Sequence, residues 1–204
     1  ENIEQINTIQ QKYGIGTDQT PLNFNLNIKN IDVKLLPYKY NMGCMIKKEI
    51  LAGVHRWTTS SRGDGSSISA DNFYVAMFTS SRSDANEDLT GYTSTNEVSG
   101  TNYTAGGQVL GSVTIGLTDN SSSVPTAFLD FADTTFSSST ISNARVAVIY
   151  NHSLTNAGTA GTVTHAAKPS VAVLDFGSNK SSSSGDFTIQ YPANDANNAV
   201  IRIS

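Results

Sequence analysis

Seven residues near the middle of the chain, Ala144-Arg145-Val146-Ala147-Val148-Ile149-Tyr150, limit the folds open to it more than any other stretch. The run is apolar at neighbouring positions, is rich in β-branched side chains, and closes on Asn151-His152-Ser153. Its length is that of a strand rather than a helix, and a strand apolar on both faces needs cover on both. Val171-Ala172-Val173-Leu174-Asp175-Phe176 repeats the pattern after a Gly/Thr/Ala-rich connection and ends in Gly177-Ser178. Phe187-Thr188-Ile189-Gln190-Tyr191 and Val200-Ile201-Arg202-Ile203 alternate cleanly, as strands with one wet face do. Two doubly covered strands flanked by two one-sided ones describe the middle and rims of a sandwich sheet. The expected class is all-β, an antiparallel β-sandwich or jelly-roll-like domain.

Upstream segments extend the same reading. Asn72 to Thr79 is a further buried strand, Val109, Val113, Ile115 and Leu117 mark an alternating one, and Ala127 to Phe131 follows a turn at Asp119–Ser123. Eight or so strands separated by turn signals result. Between Met45 and Trp57 the period changes. Ile46, Ile50, Leu51, Val54 and Trp57 form the stripe of one short amphipathic helix, with Lys47, Lys48 and Glu49 outward. Met45-Ile46-Lys47-Lys48 resembles a translation start, and composition shifts there. The chain therefore divides into an N-terminal extension, residues 1–44, and a β-sandwich domain, residues 45–204.

The extension is read as an N-terminal extended arm. Ile3, Ile6 and Ile9 make a thin helical stripe, too short to stand alone in water. After Pro21, Leu22, Phe24, Leu26 and Ile28 alternate with Asn23, Asn25, Asn27 and Lys29. The phase slips at Asn30 and resumes with Ile31, Val33 and Leu35 up to Pro37, as two short strands or one bulged strand would. Leu22, Phe24, Leu26, Ile28, Ile31 and Val33 are the candidate interaction residues, suited to adding a strand to a neighbour's sheet.

Charge and composition remove several classes. A formal net charge of -4 provides no basic field for a phosphate backbone, so nucleic acid is not an expected partner. No apolar run approaches the roughly 18 residues of a membrane-spanning helix. The single cysteine, Cys44, closes no internal disulfide, leaving packing to hold the fold. Charged residues are only 15% of the chain, and Ser, Thr, Asn and Gly supply polarity suited to turns.

Candidate chemistry is sparse, and no catalytic, cofactor or metal set is expected. His55 lies on the helix flank, and His152 and His165 lie in or beside loops; none stands in a pattern pairing a nucleophile with its base. Asp84-Ala85-Asn86-Glu87-Asp88 begins like a calcium loop, but Leu89 replaces the turn glycine and Thr95 the closing glutamate. A solvated loop with Asx turns is the simpler reading. Arg62-Gly63-Asp64, an integrin-type tripeptide, reads as a chance string in a Ser/Gly loop. Asp130 and Asp133 read as a solvated pair at a strand end. Tyr92, Tyr103 and Trp57 would stack on sugars only if one groove gathered them, and Trp57 fits the core better.

From Ile46 onward the order of motifs resembles a family of small tailed-bacteriophage virion proteins. The residues are Leu51-Ala52-Gly53-Val54-His55, Tyr74-Val75-Ala76-Met77-Phe78-Thr79-Ser80, and Asn96-Glu97-Val98-Ser99-Gly100 running through Tyr103-Thr104-Ala105-Gly106-Gly107. Asp130-Phe131-Ala132-Asp133, Ser139-Thr140-Ile141 with Ala147-Val148-Ile149-Tyr150, and Leu174-Asp175-Phe176-Gly177 with Gly185-Asp186-Phe187-Thr188-Ile189 complete it. The resemblance covers about 160 residues and leaves the arm outside; Asn96–Gly107 is its most specific part. It implies a non-enzymatic component located in the virion, with no catalytic residues to carry over. Partners would be further copies of the chain and other virion proteins. A low-charge sandwich with a sticky arm suits a head-decoration or minor capsid protein beside the major capsid protein; the alternative is a tail, neck or fibre component binding host glycans.

Overall fold

The computed structural model describes residues 40–41, 44–61, 67–80, 91–118 and 125–203. Among these lie β1 (Tyr40–Asn41), α1 (Cys44–Leu51), β2 (Ser60–Ser61), β3 (Ser67–Ile68), β4 (Phe73–Phe78), β5 (Gly100–Thr101) and β6 (Gln108–Val109). β7 (Thr114–Thr118), β8 (Thr126–Asp130), β9 (Thr134–Asn151), β10 (Gly158–Ala160), β11 (Val163–His165), β12 (Ser170–Ile189) and β13 (Ile201–Ile203) follow. The large sheet has the order β1-β12-β9-β4-β6, with β5 also on β9, and the small sheet has the order β13-β8-β7. All these pairings are antiparallel. β2–β3 and β10–β11 are separate hairpins.

The all-β expectation holds, and so does the double cover on the central run. β9 sits between β12 and β4, with Ile149 opposite Val75 and Ala147 opposite Met77 on one face. These residues join Phe73, Leu174, Leu129 and Ile201 in the main core, so the small sheet closes over this side. Val146, Val148 and Tyr150 point the other way and bury with Ala76, Phe78 and Val173. There the cover is aromatic: the Tyr92 ring stacks on Tyr150 at 4.5 Å, and Lys168 Nζ lies 5.2 Å from the Tyr92 centroid.

Two serine-rich segments beyond the expected runs are strand as well. β9 begins at Thr134, and β12 runs through Gly177 to Ile189 as one bulged strand. The paired strands turn a corner on the way. Ser138, Asn143, Gly177 and Ser184 all have positive φ, and the register shifts repeatedly between Asp175 and Phe187. As a result the Phe176 and Phe187 rings lie 6.1 Å apart, where eleven residues of straight strand would separate them by about 36 Å. Hydroxyls replace the ladder bonds lost at the bend. Ser182 Oγ accepts from Ile141 N (3.2 Å), Ser181 Oγ from Asn143 N (3.1 Å), and Thr140 Oγ1 from Ser184 N (3.0 Å). The serine-rich composition is spent here.

The helix is shorter than its apolar stripe suggested. It stops at Leu51, and Gly53, at φ 68°, provides the left-handed residue that ends it. Ile46 is buried and Lys47 and Lys48 are exposed as expected, but Glu49 is buried rather than outward, and Leu51 is 82% exposed. Trp57 lies beyond the helix, stacked on Phe73 at 4.4 Å. The expected strand through Val109, Val113, Ile115 and Leu117 divides in two. β6 belongs to the large sheet and β7 to the small one, with the crossing at buried Leu110 and positive-φ Ser112.

Of the arm, only Tyr40–Asn41 and Cys44, the first residue of α1, are described. Tyr40–Asn41 pairs with β12 of its own chain, Tyr40 opposite Leu174 and Asn41 opposite Val173. The candidate interaction residues Leu22, Phe24, Leu26, Ile28, Ile31 and Val33 lie outside the described residues.

Candidate functional site

Two carboxylates each anchor a hydrogen-bonded cluster of buried and half-buried side chains. The first is Glu97, between β4 and β5. Its Oε1 accepts from the Tyr103 hydroxyl and from Gly106 N–H, and its Oε2 from the Tyr92 hydroxyl, each at 2.7 Å. The Tyr103 oxygen in turn accepts from Met77 N (2.9 Å), an edge amide that β6 does not reach, and the Tyr150 hydroxyl donates to Gly106 O (2.7 Å). Burial, followed by the bond to Glu97, holds the Tyr103 phenol far above its ordinary range. Tyr150 is raised chiefly by burial as well, with Tyr92 and Glu97 adding to it. Both therefore stay protonated and donate to fixed acceptors.

Glycines let this segment sit close. A side chain at Gly107, with φ 75°, would put its Cβ 1.8 Å from Val75 O, and one at Gly100 would meet Thr140 O at the same distance. The tight approach supplied by the Asn96–Gly107 string is thus to strands of its own chain. Tyr92 and Tyr103 are brought to one carboxylate, but by their hydroxyls, while Trp57 packs elsewhere. No groove presenting the three rings together is formed.

The second carboxylate is Glu49, whose Oε2 lies 3.0 Å from His55 Nε2, both side chains sealed from solvent. Asn151, fully buried, fixes the rest. Its Oδ1 accepts from Ser153 N (3.0 Å), so its Nδ2 is the donor to Asp71 Oδ2 (2.7 Å) and to His55 Nδ1 (3.1 Å). His55 Nδ1 accepts, and Nε2 carries the proton donated to Glu49. The cluster ties the helix, the segment before β4 and the end of β9 together. It has the residue types of an acid–base relay, yet every arm ends on another fixed group.

The other histidines are also engaged: His152 stacks on Tyr74 at 4.3 Å, and His165 Nδ1 lies 2.9 Å from Ala166 O, where it donates. Burial, with Lys168 nearby, pushes His152 below its ordinary value. Asp130 is a correction to the solvated pair expected at 130 and 133. It is 1% exposed, its Oδ1 accepts from Phe131 N (2.9 Å), and burial outweighs the backbone donors Phe131 and Val200 to raise its pKa. Asp133 is exposed and accepts from Tyr191 N (2.9 Å). Arg62-Gly63-Asp64 and Asp84-Ala85-Asn86-Glu87-Asp88 lie outside the described residues.

One exposed surface is apolar. In the small sheet Ile115 faces Leu129 and Ile201 across the strands, and Leu117 faces Ala127 and Ile203, so all six share one face. Leu129 and Ile201 seal the core, but the face continues past it. Leu117 is 63%, Ile115 51% and Ile203 48% exposed. Ile50 and Trp57 border the same area around a hollow of about 130 Å³. On the opposite face the Phe128 ring covers Gly116, where a Cβ would fall 2.2 Å from the ring. The alternation of Ile115 and Leu117 was legible in the sequence; nothing in it told that their side stays uncovered. Glu97, Glu49, Asn151 and Asp71 were not among the candidates, although Glu97, Tyr103 and Gly106 all lie in the Asn96–Gly107 string. Comparison of the chain with family models, with curated proteins and with solved structures finds no match.

Proposed function

We propose that the chain is a non-enzymatic bacteriophage virion structural protein, a head-decoration or minor capsid protein that stabilises the shell by contacts between subunits. The observation that carries this reading is the apolar face of the small sheet that the described residues leave exposed. Ile115, Leu117 and Ile203 stand in one patch at strand spacing, with Ile50 of α1 and Trp57 at its border. Contiguous exposed apolar surface of this kind marks a contact site. Two further features support it. The buried titratable clusters at Glu97 and at Glu49–His55 are committed to holding backbone and side chains in place. The motif order from Ile46 to Ile189 resembles that of small tailed-bacteriophage virion proteins, which is consistent with this reading.

The test is composition. Purified particles of a phage carrying this gene are analysed by quantitative mass spectrometry. The chain is expected in many copies per particle, scaling with the major capsid protein. A few copies would move it to the tail or fibres, and absence from particles would overturn the reading.

A further inference from the structure

Strand β7 forms one edge of the small sheet, and its sequence reads alike from either end. The sheet has the order β13-β8-β7, and among the described residues only β8 pairs with β7, in an unbroken register from Thr114 to Thr118. One row of its backbone N–H and C=O groups therefore faces outward, a template for a further strand. Edges that avoid such pairing are short, or carry charge, proline or a bulge. Tyr40–Asn41 and Gln108–Val109, at the two rims of the large sheet, are two residues long. At the other rim of the small sheet, β13 has Arg202 at its centre. Pairing β13 with its own copy about that residue would set two guanidiniums opposite each other, which is unfavourable. β7 has none of these guards: from Gly111 to Thr118 the chain has no charge and no proline.

The symmetry of the strand selects the occupant. Thr114-Ile115-Gly116-Leu117-Thr118 is a chemical palindrome: hydroxyl, aliphatic, glycine, aliphatic, hydroxyl. We infer that β7 pairs antiparallel with β7 of a second copy of the chain, about a two-fold axis through Gly116. That register sets Ile115 against the second copy's Leu117 and Thr114 against its Thr118. Each pair then occurs twice, as a closed two-fold interface demands. Opposite side chains on such a pair have their Cβ atoms about 4.5–5.5 Å apart, where aliphatic and threonine pairs are favourable. The pairing also accounts for the exposure of Ile115 and Leu117 on a face shared with buried Leu129 and Ile201. The second copy continues the apolar row at the strand where the cover from one copy ends. The axis falls on the residue of β7 that has no side chain, and the Phe128 ring over Gly116 brings apolar surface to it from the other face. This inference rests on the subunit-contact reading above and names the partner and the register.

The test uses the full-length chain and sedimentation velocity over a range of concentrations, with far-UV circular dichroism to confirm folding. Two double variants carry charges at the same exposed positions: Ile115→Lys with Leu117→Glu, and Ile115→Lys with Leu117→Lys. Wild type is expected to sediment as a dimer. The first variant should keep the dimer, since opposite charges face each other twice across the axis. The second should lose it, since like charges do. Equal behaviour of the two variants would overturn the pairing about Gly116, because that register is what sets residue 115 against residue 117. Should either fail to fold, the same comparison is made on the other face of the strand, with Thr114→Lys and Thr118→Glu against Thr114→Lys and Thr118→Lys. A wild type that stays monomeric would overturn the second copy as partner, and its abundance in purified particles would still leave the virion reading standing. A dimer that is absent from purified particles would sink the virion reading and leave this pairing intact.

Discussion

The two sheets use the same alternation of apolar residues to different ends. In the large sheet, Val75, Met77, Ala147 and Ile149 are fully buried, and the opposite face of the same strands is buried as well. In the small sheet, Leu129 and Ile201 are buried while Ile115, Leu117 and Ile203, on the same face, are about half exposed or more. Pattern alone therefore does not separate a core residue from a contact residue. What separates them is how far the opposing layer extends. The centre of the large sheet is covered on both sides, and the small sheet reaches beyond the cover that the described residues give it.

Substitutions sharpen this contrast. Ile149→Ala, in the fully enclosed layer, is expected to cost about 4 kcal/mol, read as a lowered urea midpoint, because the site is packed on every side. Glu97→Ala should cost about 3 kcal/mol in the same measurement, since Tyr92, Tyr103 and Gly106 N all lose their acceptor together. Tyr103→Phe, which removes one hydroxyl, should cost about 1 kcal/mol. Equal effects of the last two would show that the network is not shared through the carboxylate.

Asp130→Asn isolates the buried carboxyl at the end of β8 in the small sheet. Its folded pKa is raised above the ordinary 3.8, so the unfolded chain gives up this proton first. The stabilisation is complete below the ordinary value and is lost as pH rises through the folded one. Asparagine keeps the oxygen that Phe131 N donates to and removes the ionisation. Relative to wild type, the variant should be favoured more at pH 7 than at pH 3 in paired urea titrations; a difference independent of pH would contradict the burial effect. The smallest stability effect belongs to the uncovered face. Ile115→Asp and Leu117→Asp should each change stability by less than about 0.5 kcal/mol. A loss of several kcal/mol would mean that these side chains serve the fold after all.

The strand content was legible because it is written in local periods. Ala144–Tyr150 announced its double cover, and Phe73–Phe78 its burial. The corner in β9 and β12 was not, because Ser137–Thr140 and Ser181–Ser184 have the composition of loops. Their hydroxyls hold a strand together at a bend only when a partner strand carries matching groups across the sheet. Glu49 was misread for a related reason. Beside Lys47 and Lys48 it looks like part of a wet face, and its partner His55 becomes visible only once Gly53 ends the helix and turns the chain back. The Glu97 site was half legible, in that its string stood out as a motif while its inward-facing hydroxyls did not.

The most direct measurement is retention. Particles assembled with the double variant Ile115→Asp/Leu117→Asp are compared with wild-type particles by quantitative mass spectrometry, after the variant is verified as folded by its urea midpoint. If the chain works by holding its neighbours through this face, the folded variant should be largely lost from purified particles in which wild type is abundant. Retention of the variant at wild-type copy number, or absence of the wild-type chain from the particles, would contradict it.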